Sequence, residues 1–319
     1  LQHGDKRPST SGANMPAQLV DLDGEFDLGN HFTLEVAERL AYLLSDEYRV
    51  VVKYDRAQPL PTYSDDKLNV VISTSRETHD VPGEFFREDV LIIFQHYFML
   101  DGWGDPLHNP LAYPMPLGPF REAKDKIVQP LSERKYDFSF VGQIPDTGAR
   151  DSFKRHLDRL VDKSGDKFKY FIKYTDGFGQ GLSQEEYMDI LSESKISLCP
   201  QGAHSYETFR FFESVMMGAI PIVEQLPRLW YYETSPHFKT VWRELGNTVS
   251  EVLNFTQMPN CRSFLYQVAN YCNDTLNPKN LAKHLRDKVK IRKATLDMNK
   301  QTLDEFKKLL SATELREEL

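Results

Sequence analysis

The stretch 196–223, ISLCPQGAHSYETFRFFESVMMGAIPIV, gathers residue types that could hold a charged ligand. An apolar run enters a loop containing Pro200 and Gly202. A helix is predicted from about Glu207 to Met217, closed by Gly218, and a new strand starts at once. Thr208 and Arg210 then fall in its first turn, where unbonded N–H groups and the helix dipole favour an anion. Gly202 lets the backbone approach a ligand closely. Arg210 offers a two-pronged, permanently charged grip on phosphate. Glu213, three residues on, shares its helix face, and a carboxylate there can accept both hydroxyls of a ribose. The set suits a nucleoside diphosphate. Spacing alone leaves open an ordinary helix carrying an Arg210–Glu213 surface pair.

Such a helix needs strands around it, and the chain supplies them in two blocks. Strands are predicted at 17–21, 49–54, 68–74 and within 90–100, with a helix at 32–44 whose Phe32, Val36, Leu40, Leu43 and Leu44 recur at helical spacing. Residues 101–119 are rich in proline and glycine and read as a loop or interdomain linker. Periodicity resumes with strands at 136–142, 168–174, 196–199 and 219–223 and helices at 150–161 and 183–193. The second of these helices opens on a capping box of Ser183 and Glu186. A charged helical tail follows Asn277-Pro278. Strands alternating with helices predict an α/β fold with parallel sheets. The expected division is a leader at 1–16, a Rossmann-like domain at 17–120, a second at 121–275, and a helical tail at 276–319.

Composition narrows the function. With 39 Lys and Arg against 47 Asp and Glu, the net charge is −8, which argues against nucleic acid as a partner. Apolar residues make up 40% and charged residues 27%, an ordinary globular balance. Three cysteines with no CxxC pair speak against structural zinc. No apolar run approaches a membrane span, and no signal peptide is visible. These features favour the cytoplasm. Sequons at Asn254 and Asn273 leave the Golgi or endoplasmic reticulum lumen open, should an N-terminal anchor have been removed.

The donor-like segment resembles the C-terminal motif of exostosin-like glycosyltransferases: a strand, Cys-x-Pro-x-Gly, Ser/Thr-x-Arg-Phe-x-Glu, a glycine, then Ile-Pro. The matching positions are Cys199, Pro200, Gly202, Thr208, Arg210, Phe211, Glu213, Gly218, Ile220 and Pro221. Phe138-Ser-Phe-Val-Gly142 followed by Arg150 resembles the opening of the same domain, and 187–195 resembles the helix leading into the donor strand. The resemblance spans about 136–225 and implies a GT-B fold, two Rossmann-like domains facing a cleft. It implies transfer of a sugar from a nucleotide-sugar donor, UDP-linked, to a hydroxyl of a glycan or glycoconjugate, with no metal or other cofactor. Arg210 would hold diphosphate and Glu213 ribose. Arg150, Gly142, Gly202, Thr208, His204 and Tyr206 would complete the donor site, and the tail could cross back to the N-terminal domain.

An inverting transferase needs a base for the acceptor hydroxyl. A GT-B arrangement draws it from an N-terminal loop beyond a strand's carboxyl end, which makes Asp80 and then Glu77 the candidates, beside His79; the loop 21–31 offers Asp23, Glu25 and His31. Among competing motifs, Asp21-x-Asp23 resembles the nucleophile loop of haloacid-dehalogenase phosphatases, or the metal-binding DxD of GT-A transferases. The phosphatases usually carry Thr where Glu25 stands, and their downstream acidic motif is missing. A catalytically inactive, sugar-nucleotide- or glycan-binding protein on the same scaffold is the other alternative. His96, in an apolar strand, reads as a core histidine.

Overall fold

A computed structural model describes residues 16–21, 31–53, 60–74, 87–96, 111–120, 129–144, 149–177, 180–202, 207–224, 245–256 and 261–317. These residues form an α/β structure with two parallel sheets. The first carries β1 (Gln18–Asp21), β2 (Tyr48–Lys53), β3 (Leu68–Ser73), β4 (Val90–Gln95) and β5 (Ala112–Pro114), in the order β1-β2-β3-β4-β5. Every neighbouring pair is parallel. β2 and β4 are buried along their whole length, which explains their unbroken apolar and β-branched character. α1 (His31–Leu43) lays Phe32, Val36, Ala37, Leu40 and Ala41 on one face of this sheet, the i, i+4 stripe that the sequence shows.

The second sheet holds β6 (Tyr136–Gln143), β7 (Tyr170–Thr175), β8 (Ser194–Cys199) and β9 (Ile220–Val223), in the order β7-β6-β8-β9. Its helices are α2 (Ala149–Ser164), α3 (Gln184–Ser192) and α4 (Phe209–Met216), followed in the chain by α5 (Leu245–Thr256), α6 (Cys261–Asp274) and α7 (Pro278–Glu317). β6 separates two layers. Phe138 and Phe140 pack with Phe153, Leu157 and Leu160 of α2, whereas Val141 packs with Tyr187, Met188 and Leu191 of α3. The chain therefore leaves β6 toward β7 on one face and returns to β8 on the other. The strand order reverses between β6 and β8, a topological switch point, where ligands of open α/β sheets bind at the carboxyl ends of the strands.

Several predicted bounds shift. α4 begins at Phe209, and Thr208 is its N-cap in extended conformation, so Thr208 lies just before the first turn. The capping box of α3 forms as the sequence indicates, with Ser183 Oγ accepting from Glu186 N at 3.2 Å and Ser183 N donating to Glu186 at 2.7 Å. β5 sits inside the stretch read as a linker. A three-residue strand that ends on Pro114 carries no alternation to betray it. α5 and α6 were not predicted at all.

The passage between the sheets is short. Met115 belongs to the core of the first sheet and Leu117 to that of the second. Gly118 between them has φ +72°, and a side-chain carbon there would lie 2.1 Å from Phe32 Cδ1, so only glycine fits. α7 packs Leu281, Ala282, Leu285 and Val289 into the first sheet's core beside α1. Arg134, 5% exposed, donates to the carbonyls of Gln129, Ser194 (2.7 Å) and Met217 (3.0 Å), pinning the entry to β6 against β8 and the end of α4. Burial lowers its pKa to about 10.

Candidate functional site

The switch point is where the candidate donor residues converge. β6 ends in Gly142 and Gln143; β8 ends in Cys199 and leads to the buried Gly202; α4 follows. Arg210, in the first turn of α4, reaches across to β6, where its Nη2 donates to the Val141 carbonyl at 2.7 Å. Its guanidinium carbon stands 4.9 Å from the Phe140 ring centre, within cation–π range. The guanidinium passes so close to Gly142 that a side-chain carbon built there would lie 2.2 Å from Nη2. Gly142 thus makes room for Arg210, a structural reason for a glycine at the end of β6.

Arg150, in the first turn of α2, donates from Nε to the Gln201 carbonyl (2.9 Å) and from Nη1 to the Gln143 carbonyl (2.9 Å). It clamps the end of β6 to the loop beyond β8. Two of its donors hold backbone, so it positions the site's walls as well as standing near any ligand there. Gln143 in turn donates to the Asp176 carbonyl at 3.2 Å, which ties the glycine-bearing turn after β7 to the same edge.

Glu213 is not half of a surface pair. It is 4% exposed, and the Tyr187 hydroxyl of α3 hydrogen-bonds to its carboxylate. Burial and the neighbouring Glu213 charge push the Tyr187 pKa well above its ordinary value, so Tyr187 stays a proton donor to Glu213. Cys199 lies buried beside Ser197 and Ser214, and burial raises its thiol pKa to about 11. A thiol so protonated serves packing and not nucleophilic chemistry.

At the head of α4, the Thr208 Oγ1 and Arg210 Nε atoms are buried with no hydrogen-bond partner among the described residues. Thr208 makes no side-chain cap either. Buried polar atoms are seldom left so, and two at one helix start mark a place with unused hydrogen-bonding capacity. Glu207, 1% exposed, accepts from Leu117 N at 2.7 Å and anchors the same helix start to the inter-sheet passage.

Residues 119–235 match the family model described as RXYLT1 C-terminal domain. The match, over about a third of the chain, supports the resemblance of this block to exostosin-like glycosyltransferases. The matched block contains the whole second sheet with α2, α3 and α4; the first sheet lies outside the match. No curated protein matches the chain.

Of the residues singled out in the sequence, Arg210, Glu213, Thr208, Gly202, Arg150 and Gly142 gather at one end of the matched block's sheet. His204 and Tyr206 of that loop, and Glu77, His79 and Asp80 of the base-candidate loop, lie outside the described residues, as do Asp23 and Glu25. Asp21 ends β1, at the edge of the first sheet. His96 is fully buried, its Nε2 3.4 Å from Thr33 Oγ1, and burial drops its pKa to about 3, so it is neutral in the core. The partners that sequence reasoning missed are Val141 and Phe140 as the seat of Arg210, the two carbonyls on Arg150, and Tyr187 on Glu213. Backbone acceptors leave no trace in residue type. Among the described residues no three His, Cys, Asp or Glu side chains gather as metal ligands, and no helix is long and apolar enough to cross a membrane.

Proposed function

We propose that the protein transfers a sugar from a nucleotide-sugar donor, UDP-linked, to a hydroxyl of a glycan or glycoconjugate, with inversion and without a bound metal. The observation that carries this reading is Arg210, held at the switch point by Val141, Phe140 and Gly142, inside the block that matches the family model. In the proposed GT-B arrangement the second sheet's half binds the donor and the first sheet's half offers the acceptor. Arg210 and the α4 amides would meet the diphosphate and stabilise the charge that grows on it as the glycosidic bond breaks. Glu213, oriented by Tyr187, would accept the ribose hydroxyls. Asp80, or Glu77, would take the proton of the attacking hydroxyl. The matched family's xylosyltransferase character makes UDP-xylose the first donor to try.

The test has two steps. The full chain is titrated with UDP, GDP and CMP, then incubated with the sugar form of whichever binds, and products are read by mass spectrometry on hydroxyl acceptors. Binding with transfer, both lost in Arg210→Ala, supports the reading. Binding without transfer to any acceptor turns it into a nucleotide-sugar-binding protein. No binding of any nucleotide removes it.

A further inference from the structure

α7 outruns the body that it rests on. Leu281, Ala282, Leu285 and Val289 enter the first sheet's core, and Leu296 packs against it partly buried. The helix then runs on to Glu317. A helix lying on a protein hides one side, so burial should recur with the helical period. At 297–305 it does not: all nine residues are exposed. About two and a half turns therefore pack against nothing among the described residues. So short a length of helix is marginal in water without a partner.

The outward side of α7 carries apolar surface. Among the described residues, the exposed large aliphatic side chains are Ile291 (61% exposed), Met298 (67%) and Leu303 (52%), and all three are on α7. Ile291 stands about 160° round the helix from the docked Val289, and Met298, seven residues on, falls within about 20° of Ile291. Between them Ala294 and Thr295 are exposed and small. A seven-residue apolar spacing with small residues between suits the seam of two packed helices. Leu303, about 140° round from Met298, lies off this face.

Charge changes sign along the seam. Over 283–293 there are six Lys and Arg to one Asp; over 297–305 there are three Asp and Glu to one Lys. Arg286 holds Asp287 at 2.6 Å and Lys293 holds Asp297 at 2.7 Å, while Lys283, Lys290, Asp304 and Glu305 are exposed. A second α7 laid antiparallel sets the basic stretch of each copy against the acidic stretch of the other. It also brings Ile291 beside Met298 of the second copy. A parallel pairing would set like charge on like. The antiparallel pair closes about a twofold axis, with the same patch used on both copies. The core on which α7 docks lies behind the seam in each copy, and the exposed turns at 297–305 come to rest on the other copy's helix.

We propose that two copies of this chain dimerise through the outward face of α7, paired antiparallel along a seam centred on Ala294 and Thr295. One helix face per copy is less than a standard interface, so the dimer is a reversible one. The inference goes beyond the proposed sugar transfer and does not depend on it.

The test is sedimentation equilibrium of the full chain and of Ile291→Glu, Met298→Lys and Leu303→Glu. Ile291→Glu puts an acid opposite the acidic stretch, and Met298→Lys a base opposite the basic one. All three positions are exposed, so each variant should keep the wild-type circular dichroism and melting temperature. The expected result is a wild-type dimer whose dissociation constant rises at least tenfold in Ile291→Glu and in Met298→Lys. Leu303→Glu should stay within about twofold of the wild type. Added salt should weaken the wild-type dimer, because opposite charges face each other. A monomer at every concentration overturns the proposal and leaves the face to a different macromolecule. So does a dimer that Ile291→Glu and Met298→Lys leave intact, one that Leu303→Glu breaks equally, or one that salt strengthens or leaves unchanged. UDP titrated into Ile291→Glu reports on the Arg210 site alone, so the two readings fail separately.

Discussion

Replacing Gly142 by alanine should strike the donor site while leaving the chain folded, at some cost in stability. The added carbon would lie 2.2 Å from Arg210 Nη2 and 3.4 Å from its Cζ, with Phe140 Cζ at an ordinary 3.6 Å. The short contact is with the free end of a flexible side chain, so Arg210 swings away; the backbone at φ +158°, which L side chains rarely adopt, adds strain of its own. What is lost is the 2.7 Å bond to the Val141 carbonyl. A hydrogen bond with one charged partner contributes about 1.5–3 kcal/mol. Arg210 is only half-buried and regains water on leaving, so the lost bond should cost about 1 kcal/mol, or about 2–4 °C in melting temperature for a chain of this size, and the strained backbone adds to it. The displaced guanidinium no longer meets a diphosphate, and forfeiting a contact of the same 1.5–3 kcal/mol weakens nucleotide binding roughly 10- to 150-fold. Calorimetric titration of UDP into wild type, Gly142→Ala, Arg210→Ala and the double variant separates the effects. The double variant should bind no worse than Arg210→Ala, since both changes remove one interaction. Wild-type affinity in Gly142→Ala would refute the reasoning, and so would additive losses in the double variant.

Gly118→Ala should be far more damaging, because the clash at 2.1 Å is with the Phe32 ring and the backbone stands at φ +72°. About 1–2 kcal/mol for the left-handed conformation and about 1–3 kcal/mol for overpacking should appear as a lowered urea midpoint. Glu207→Ala strands the buried Leu117 N–H, which now donates to Glu207 at 2.7 Å, and should cost about 1–3 kcal/mol in the same assay. His96 gives an acid dependence. Its folded pKa of about 3 lies below the ordinary 6.5, so under pH 6.5 the unfolded chain binds a proton that the folded one refuses. Stability should fall toward pH 3 by up to about 1.4 kcal/mol per pH unit, and His96→Gln should flatten that slope in urea titrations run at several pH values.

The sequence showed most of the second sheet because its signals are local. Ser183 and Glu186 spell a capping box, Gly218 closes α4 at φ +67°, and the strands are compact apolar runs. It showed where Arg210 lies but not what holds it, since Val141 acts through a carbonyl and Gly142 through an absent side chain. β5 escaped because Ala112–Pro114 is three residues long and owes its pairing to β4 alone.

The most direct test of the central claim is the UDP dissociation constant of the wild type against that of Arg210→Ala, by calorimetry on the full chain. Saturable binding that weakens at least tenfold in Arg210→Ala, with the variant still folded, is the predicted result. Equal affinity in the two proteins, or no binding of UDP, GDP or CMP by the wild type, would contradict a donor site at the β6–β8 switch point.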